Sequence, residues 1–163
     1  MDLQQNPFFV LGATPRDDRR RILELAEEKS LLADSALCAQ ARSDLTNPRK
    51  RLPAEIAWLP GVDPIQVSEA LSGLGNNPCN LLTMKQLPAL ARANLIAAGL
   101  VRLHEKLWSK DIIRWVLALA RAYERIKPDK VLRQINEDRV VAGFPEMSEV
   151  SHVEEALSEQ RRY

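Results

Sequence analysis

The sequence predicts an all-α protein, and three observations carry that prediction. Apolar residues recur at i, i+3, i+4 and i+7 through most of the chain, which lines one face of a 3.6-residue helix. Proline, or a short polar residue able to cap, stands at the head of many of these stretches, and glycine or a further proline closes several. No stretch reads as a convincing strand.

Taken in order, Asn6 is placed to cap a helix that Pro7 opens, since proline at the first helical position loses only an amide that had no partner. Gly12 ends it. Thr14-Pro15 repeats the device, with Asp17 in the first turn, and predicts a second helix running to about Ala33 with Ile22, Leu25, Ala26 and Ala33 near one stripe. Asp34-Ser35 marks a turn and cap, and Leu37, Ala41 and Leu45 follow at four-residue spacing. Asn47-Pro48 opens a fourth helix carrying Leu52, Ile56 and Leu59, which Pro53 is expected to kink or interrupt because it brings no amide.

Pro60-Gly61, Asp63-Pro64 and the run Gly73 to Pro78 punctuate the middle of the chain. A short helix is expected over 65–71, and 73–84 reads as a loop or linker whose Leu81, Leu82 and Met84 pack down. From Gln86 the pattern is again helical. Leu87, Leu90, Ala91, Ala98 and Val101 mark one helix ending near Trp108. Ile112, Trp115, Val116, Leu119, Tyr123 and Ile126 mark the next, with Arg114, Arg121 and Arg125 off the stripe. Lys127-Pro128 opens another, bearing Val131, Leu132 and Ile135 and stopping at Gly143-Phe144-Pro145. Ser151 with Glu154 reads as a capping box for a last helix with Val153 and Leu157, which reaches Tyr163 without a stop and is expected to continue in a longer protein.

Lys plus Arg (23) nearly balances Asp plus Glu (22), so no whole-molecule field draws in nucleic acid or an anionic membrane. Cys38 and Cys79 form one widely separated pair, which favours reduced thiols, a cytoplasmic setting and burial as small apolar residues. No apolar run approaches the roughly 18 residues of a membrane span, and the first residues lack the basic and apolar regions of a signal peptide.

Asn6-Pro7-Phe8-Phe9-Val10-Leu11-Gly12, followed by a long amphipathic stretch and then Leu45-Thr46-Asn47-Pro48-Arg49-Lys50-Arg51, resembles the layout of a J-domain over roughly the first 60 residues. The resemblance implies a J-like helical hairpin domain at residues 1–60; punctuation, helical period and short connections add a connecting segment at 61–84 and an antiparallel helical bundle at 85–163, either sharing one core with the first part or forming a second. It departs from the family where the family places His-Pro-Asp, because this chain has Leu32-Ala33-Asp34-Ser35-Ala36. The family's basic second-helix face is also replaced by mainly acidic residues around Glu27-Glu28-Lys29. That argues against stimulation of a heat-shock ATPase and for a degenerate J-like module that docks a protein partner or joins other domains.

The candidate sites are few. His104 and His152 have no companions at metal-ligand spacing, and Glu105 beside His104 diverges from it by about 100° around the helix. Gly73-Leu74-Gly75 lacks the third glycine, the strand and the lysine of a nucleotide loop. Trp58, Trp108 and Trp115 fall on helical stripes and read as core. The only basic clusters of note are Arg19-Arg20-Arg21 and Arg49-Lys50-Arg51, expected near opposite ends of the small domain and taken as the candidate partner-binding residues. No aromatic residues interleave with them to stack bases, which argues against nucleic acid. No catalytic constellation, metal or cofactor is expected. The function expected is a non-catalytic interaction or scaffold module. A divergent co-chaperone is the second reading and a nucleic-acid-binding module the third.

Overall fold

Asn6 and Pro7 open the chain's first α-helix, α1 (Pro7–Leu11), with the Asn6 side chain accepting from the Phe8 amide at 3.0 Å. Gly12 closes it at φ 66°, in the left-handed region that glycine enters without a Cβ penalty. A single 3-10 turn, Leu3–Gln5, precedes it. The computed structural model describes residues 3–103 and 109–161 and is all-α, with no strand among the described residues.

The second helix, α2 (Arg19–Ser30), starts four residues later than Thr14-Pro15 suggests. Asp17 is spent on a turn, its carboxylate accepting from the Thr14 amide at 2.6 Å, and Asp18 is the cap, accepting from the Arg21 amide at 2.7 Å. Residues 31–34 turn the chain into α3 (Ser35–Thr46), which Asp34 caps through the amides of Ala36 and Leu37. Ala33 therefore lies in the turn and is exposed. The buried stripe of α3 is Cys38, Ala41 and Leu45, while Leu37 is exposed. α1 and α2 both pack on α3, so α2 and α3 form a helical hairpin, each arm about 18 Å long.

Asn47 caps α4 (Pro48–Ile56) through the amides of Arg49 and Lys50. The helix is not interrupted at Pro53 and ends three residues beyond it. Two buried asparagines take the carbonyls at that end. Asn6 donates to Ala54 O at 2.8 Å, and Asn94 donates to Ile56 O at 2.8 Å and Trp58 O at 2.6 Å.

α5 (Pro64–Asn76) is longer than expected, because buried Val67, Ala70 and Leu74 keep one stripe in contact with the core through Gly73 and Gly75. The segment read as a linker thus begins in a helix and continues as a 3-10 run, Pro78–Thr83, anchored by buried Leu81 and Leu82. α6 (Ala89–Leu103) and α7 (Ser109–Tyr123) pack on each other. On α7, Trp115 and Ala122 are buried, whereas Ile113, Val116 and Leu117 are exposed; Val101 on α6 is exposed as well. α8 (Pro128–Val141) ends before Gly143, which has φ 69°. α9 (Val150–Gln160) starts one residue before the expected cap. Ser151 forms no capping box, and its hydroxyl donates to the Glu149 carboxylate at 3.3 Å.

One hydrophobic cluster contains Phe8, Leu45, Trp58, Leu81, Leu95, Trp115 and Phe144, and so draws on residues from both ends of the chain. A second holds Ile56, Leu90, Val131, Ile135, Val153 and Leu157 and seats α8 and α9 against α4 and α6.

α6 and α7 leave no room for a side chain at Gly99, where an added Cβ would stand 2.6 Å from Cζ3 of Trp115 and 3.1 Å from Cδ1 of Leu81 in the 3-10 run. Because the Trp115 ring is buried, it has little room to yield. Gly99→Ala is expected to destabilise the fold by about 1–3 kcal/mol, outweighing alanine's better helix propensity of about 1 kcal/mol. A urea-unfolding midpoint equal to or above that of the parent would contradict this packing.

Candidate functional site

Of the six basic residues singled out in the sequence, Arg51 is not on the surface. Its side chain is 0% exposed. The i, i+4 spacing on α4 sets it against Glu55, and its Nε donates to Glu55 Oε1 at 2.8 Å. Nη1 donates to Leu45 O at 3.0 Å and Nη2 to Pro15 O at 2.6 Å. The Phe144 ring lies 4.1 Å from the guanidinium carbon and the Phe8 ring 5.1 Å from it. Burial pulls the Arg51 guanidinium below its ordinary value, and the Glu55 carboxylate opposes that shift.

Arg139 of α8 completes the cluster from 84 residues away. It approaches the same carboxylate through Nε, at 3.1 and 3.0 Å from the two oxygens, and through Nη2 at 2.7 Å from Oε2. Nη2 also donates to Pro48 O and Nη1 to Pro145 O. Arg16 adds a tie to buried Asp138 at 2.8 Å, and that hydrogen bond raises the Arg16 guanidinium above its ordinary value.

The remaining basic residues are exposed. Arg20 and Arg21 pair along α2 with Glu24 and Glu28, which holds Glu24 below the ordinary carboxylate range and raises Arg21. Arg19 lies over the Phe144 ring at 5.2 Å. The two basic clusters therefore meet across Phe144 and do not lie apart, although the member that joins them, Arg51, faces inward. Arg49 and Lys50 are exposed in the first turn of α4, where Arg49 borders a cleft of about 530 Å³ between α4, residues 145–148 and α9. Leu52, Met147 and Ala156 line that cleft, with Glu146, Glu155 and His152 among its polar groups.

A further surface lies at the α2–α3 turn. Leu31 and Leu32 are 85% and 87% exposed, and Leu37, one turn on, is 51% exposed. Cys38 is buried and Cys79, contrary to the burial expected of it, is exposed. Trp58 and Trp115 are core, while His104 and Trp108 lie outside the described residues. No group of three His, Cys, Asp or Glu side chains among the described residues is arranged to hold a metal ion, and no described helix is long and apolar enough to cross a membrane. Comparison of the chain with protein-family models, with curated proteins and with solved structures finds no match.

The two basic clusters are thus unequal in kind. Replacing Arg49 and Lys50 together by Gln is expected to change stability by less than about 0.5 kcal/mol. Glu55→Ala leaves two guanidinium groups buried without their carboxylate and is expected to cost about 3–5 kcal/mol. Chemical denaturation of both variants checks the contrast, and similar midpoints would refute it.

Proposed function

We propose that this chain is a non-catalytic protein-interaction module built on a degenerate J-like helical hairpin. The observation that carries the reading is the α2–α3 turn, where two leucines stand almost fully in solvent beside a third at the start of α3. Each exposed leucine forgoes about 1.5–3 kcal/mol of burial, and clustered exposed apolar side chains mark surfaces that bind. The hairpin layout and the Leu45 to Arg51 sequence support kinship with J-domains, and the missing His-Pro-Asp argues that the ATPase-stimulating role is not retained. In this reading the apolar tip takes the tripeptide's place as the point of contact, and the partner is a protein offering an apolar groove.

Two measurements test the proposal. A purified heat-shock ATPase should show no increase in turnover when the intact chain is added, and a several-fold increase would favour the co-chaperone reading instead. In cross-linking from the native cell, a protein captured by the intact chain should be lost from Leu31→Asp, Leu32→Asp, whose exposed side chains leave the fold unchanged by circular dichroism. Capture that is equal for the two proteins would remove the hairpin tip as the docking point.

A further inference from the structure

A second concavity, of about 270 Å³, lies where the start of α6, the end of α7 and the start of α8 converge. Lys85, Arg92, Arg125, Lys127 and Lys130 all line it, and no carboxylate does. In a chain with a net charge of only +1, five cations around one small hollow are not a by-product of overall composition. They come from two separate stretches of the chain, 85–92 and 125–130, so no single helix-surface period accounts for their meeting.

Two details show that the cluster is unsatisfied. None of the five takes part in an ion pair among the described residues. The Nε of Arg92 is buried and has no hydrogen-bond partner, an N–H held out of water with nothing to accept it. Lys127 occupies the N-cap position of α8 and makes no side-chain cap bond, so the positive end of that helix adds to the same field. Asp129, in the same turn, does not line the hollow. Like charges gathered in a concave site repel more strongly than on an open surface, and an entering anion relieves every pair at once.

We propose that this pocket binds a compact multivalent phosphate anion, a diphosphate or triphosphate group, whose charge is shared among Arg92, Arg125, Lys127 and Lys130. The combination of guanidinium and ammonium donors suits phosphate oxygens. A nucleic-acid strand is a poorer fit, because it needs an extended basic track with stacking platforms and this hollow is small and lined by aliphatic residues such as Leu87, Pro88 and Ile126.

Isothermal titration of the intact chain with inorganic pyrophosphate, at a fixed ionic strength near 0.15 M set with chloride, provides the test. One saturable site is expected. Lys127→Gln, Lys130→Gln removes two exposed cations and should weaken it by about tenfold or more. Arg49→Gln, Lys50→Gln removes equal charge outside the pocket and should leave affinity within about twofold. Circular dichroism establishes that both variants are folded, and Lys127→Arg, Lys130→Arg should retain binding. A parallel titration with ADP separates the sources: tighter binding than pyrophosphate identifies a nucleotide's phosphates, and weaker binding identifies a free polyphosphate. No saturable binding by the parent chain overturns the proposal. So does an equal loss in the two Gln variants, which would reduce the effect to general electrostatic attraction.

Discussion

The Glu55 carboxylate, clamped between Arg51 and Arg139, is the interaction on which the rest of the architecture depends. All three side chains are at most 2% exposed, and removing a charged group from water costs several kcal/mol even after relaxation. One carboxylate does not neutralise two guanidinium groups. The excess positive charge is spread over four backbone carbonyls, those of Pro15, Leu45, Pro48 and Pro145, and over the faces of Phe8 and Phe144. The carbonyls of Pro15, Leu45 and Pro145 belong to loops or to the C-terminal end of a helix, where no intrahelical amide competes for them, and that of Pro48 is the first of α4. The charged cluster therefore fixes where α3 stops, where α4 starts and how the chain leaves α8. A different docking of α8 would leave a buried charge unpaired, which makes the arrangement selective whatever its net contribution to stability.

That clamp explains why residues 1–60 do not pack as a separate unit. Arg139 and Phe144 arrive from the far part of the chain to complete a cluster begun by α1 and α4, and the larger apolar cluster follows the same route from Leu3 to Phe144. Arg51, which closes the stretch that Asn47 and Pro48 open, is thus a structural anchor. Its neighbours Arg49 and Lys50 keep the exposed surface, since consecutive helical positions diverge by about 100° and only one of the three can face the core.

Much of this was legible in the sequence. Helix existence and order follow from period and punctuation, and Asn6, Gly12, Asp34 and Asn47 act as the caps their residue types suggest. What was missed has identifiable physical causes. Two adjacent aspartates before α2 compete for one cap, and Asp18 wins because Asp17 closes a turn onto Thr14. Pro53 looked like a break, but the helix runs three residues past it, and buried Asn6 and Asn94 take carbonyls at that end. The ionic clamp left two readable traces: Arg51 and Glu55 at i, i+4, and Arg139 continuing the inward stripe of Val131 and Ile135. A charged residue on an apolar stripe signals a buried partner, yet its identity, 84 residues away, is a tertiary fact. The cationic pocket left no trace, because its members are spread from Lys85 to Lys130 and are unremarkable one by one.

Near-neutral net charge conceals a segregation of sign that only the folded chain exposes. On α2 the signs are mixed, with Glu24 and Glu28 tied to Arg20 and Arg21, while Glu146, Glu155 and Glu159 gather around the cleft beside α9. Cations gather at the junction of α6, α7 and α8 with no ion pair to a described residue. Surface pairs such as those on α2 contribute little, and they mute the Arg19 to Arg21 cluster that looked most prominent in the sequence. Field strength at a surface follows from which charges are left over after local pairing. By that criterion the scattered lysines and arginines of the pocket outrank the conspicuous arginine run, and the apolar hairpin tip stands apart from both as a surface that charge does not govern.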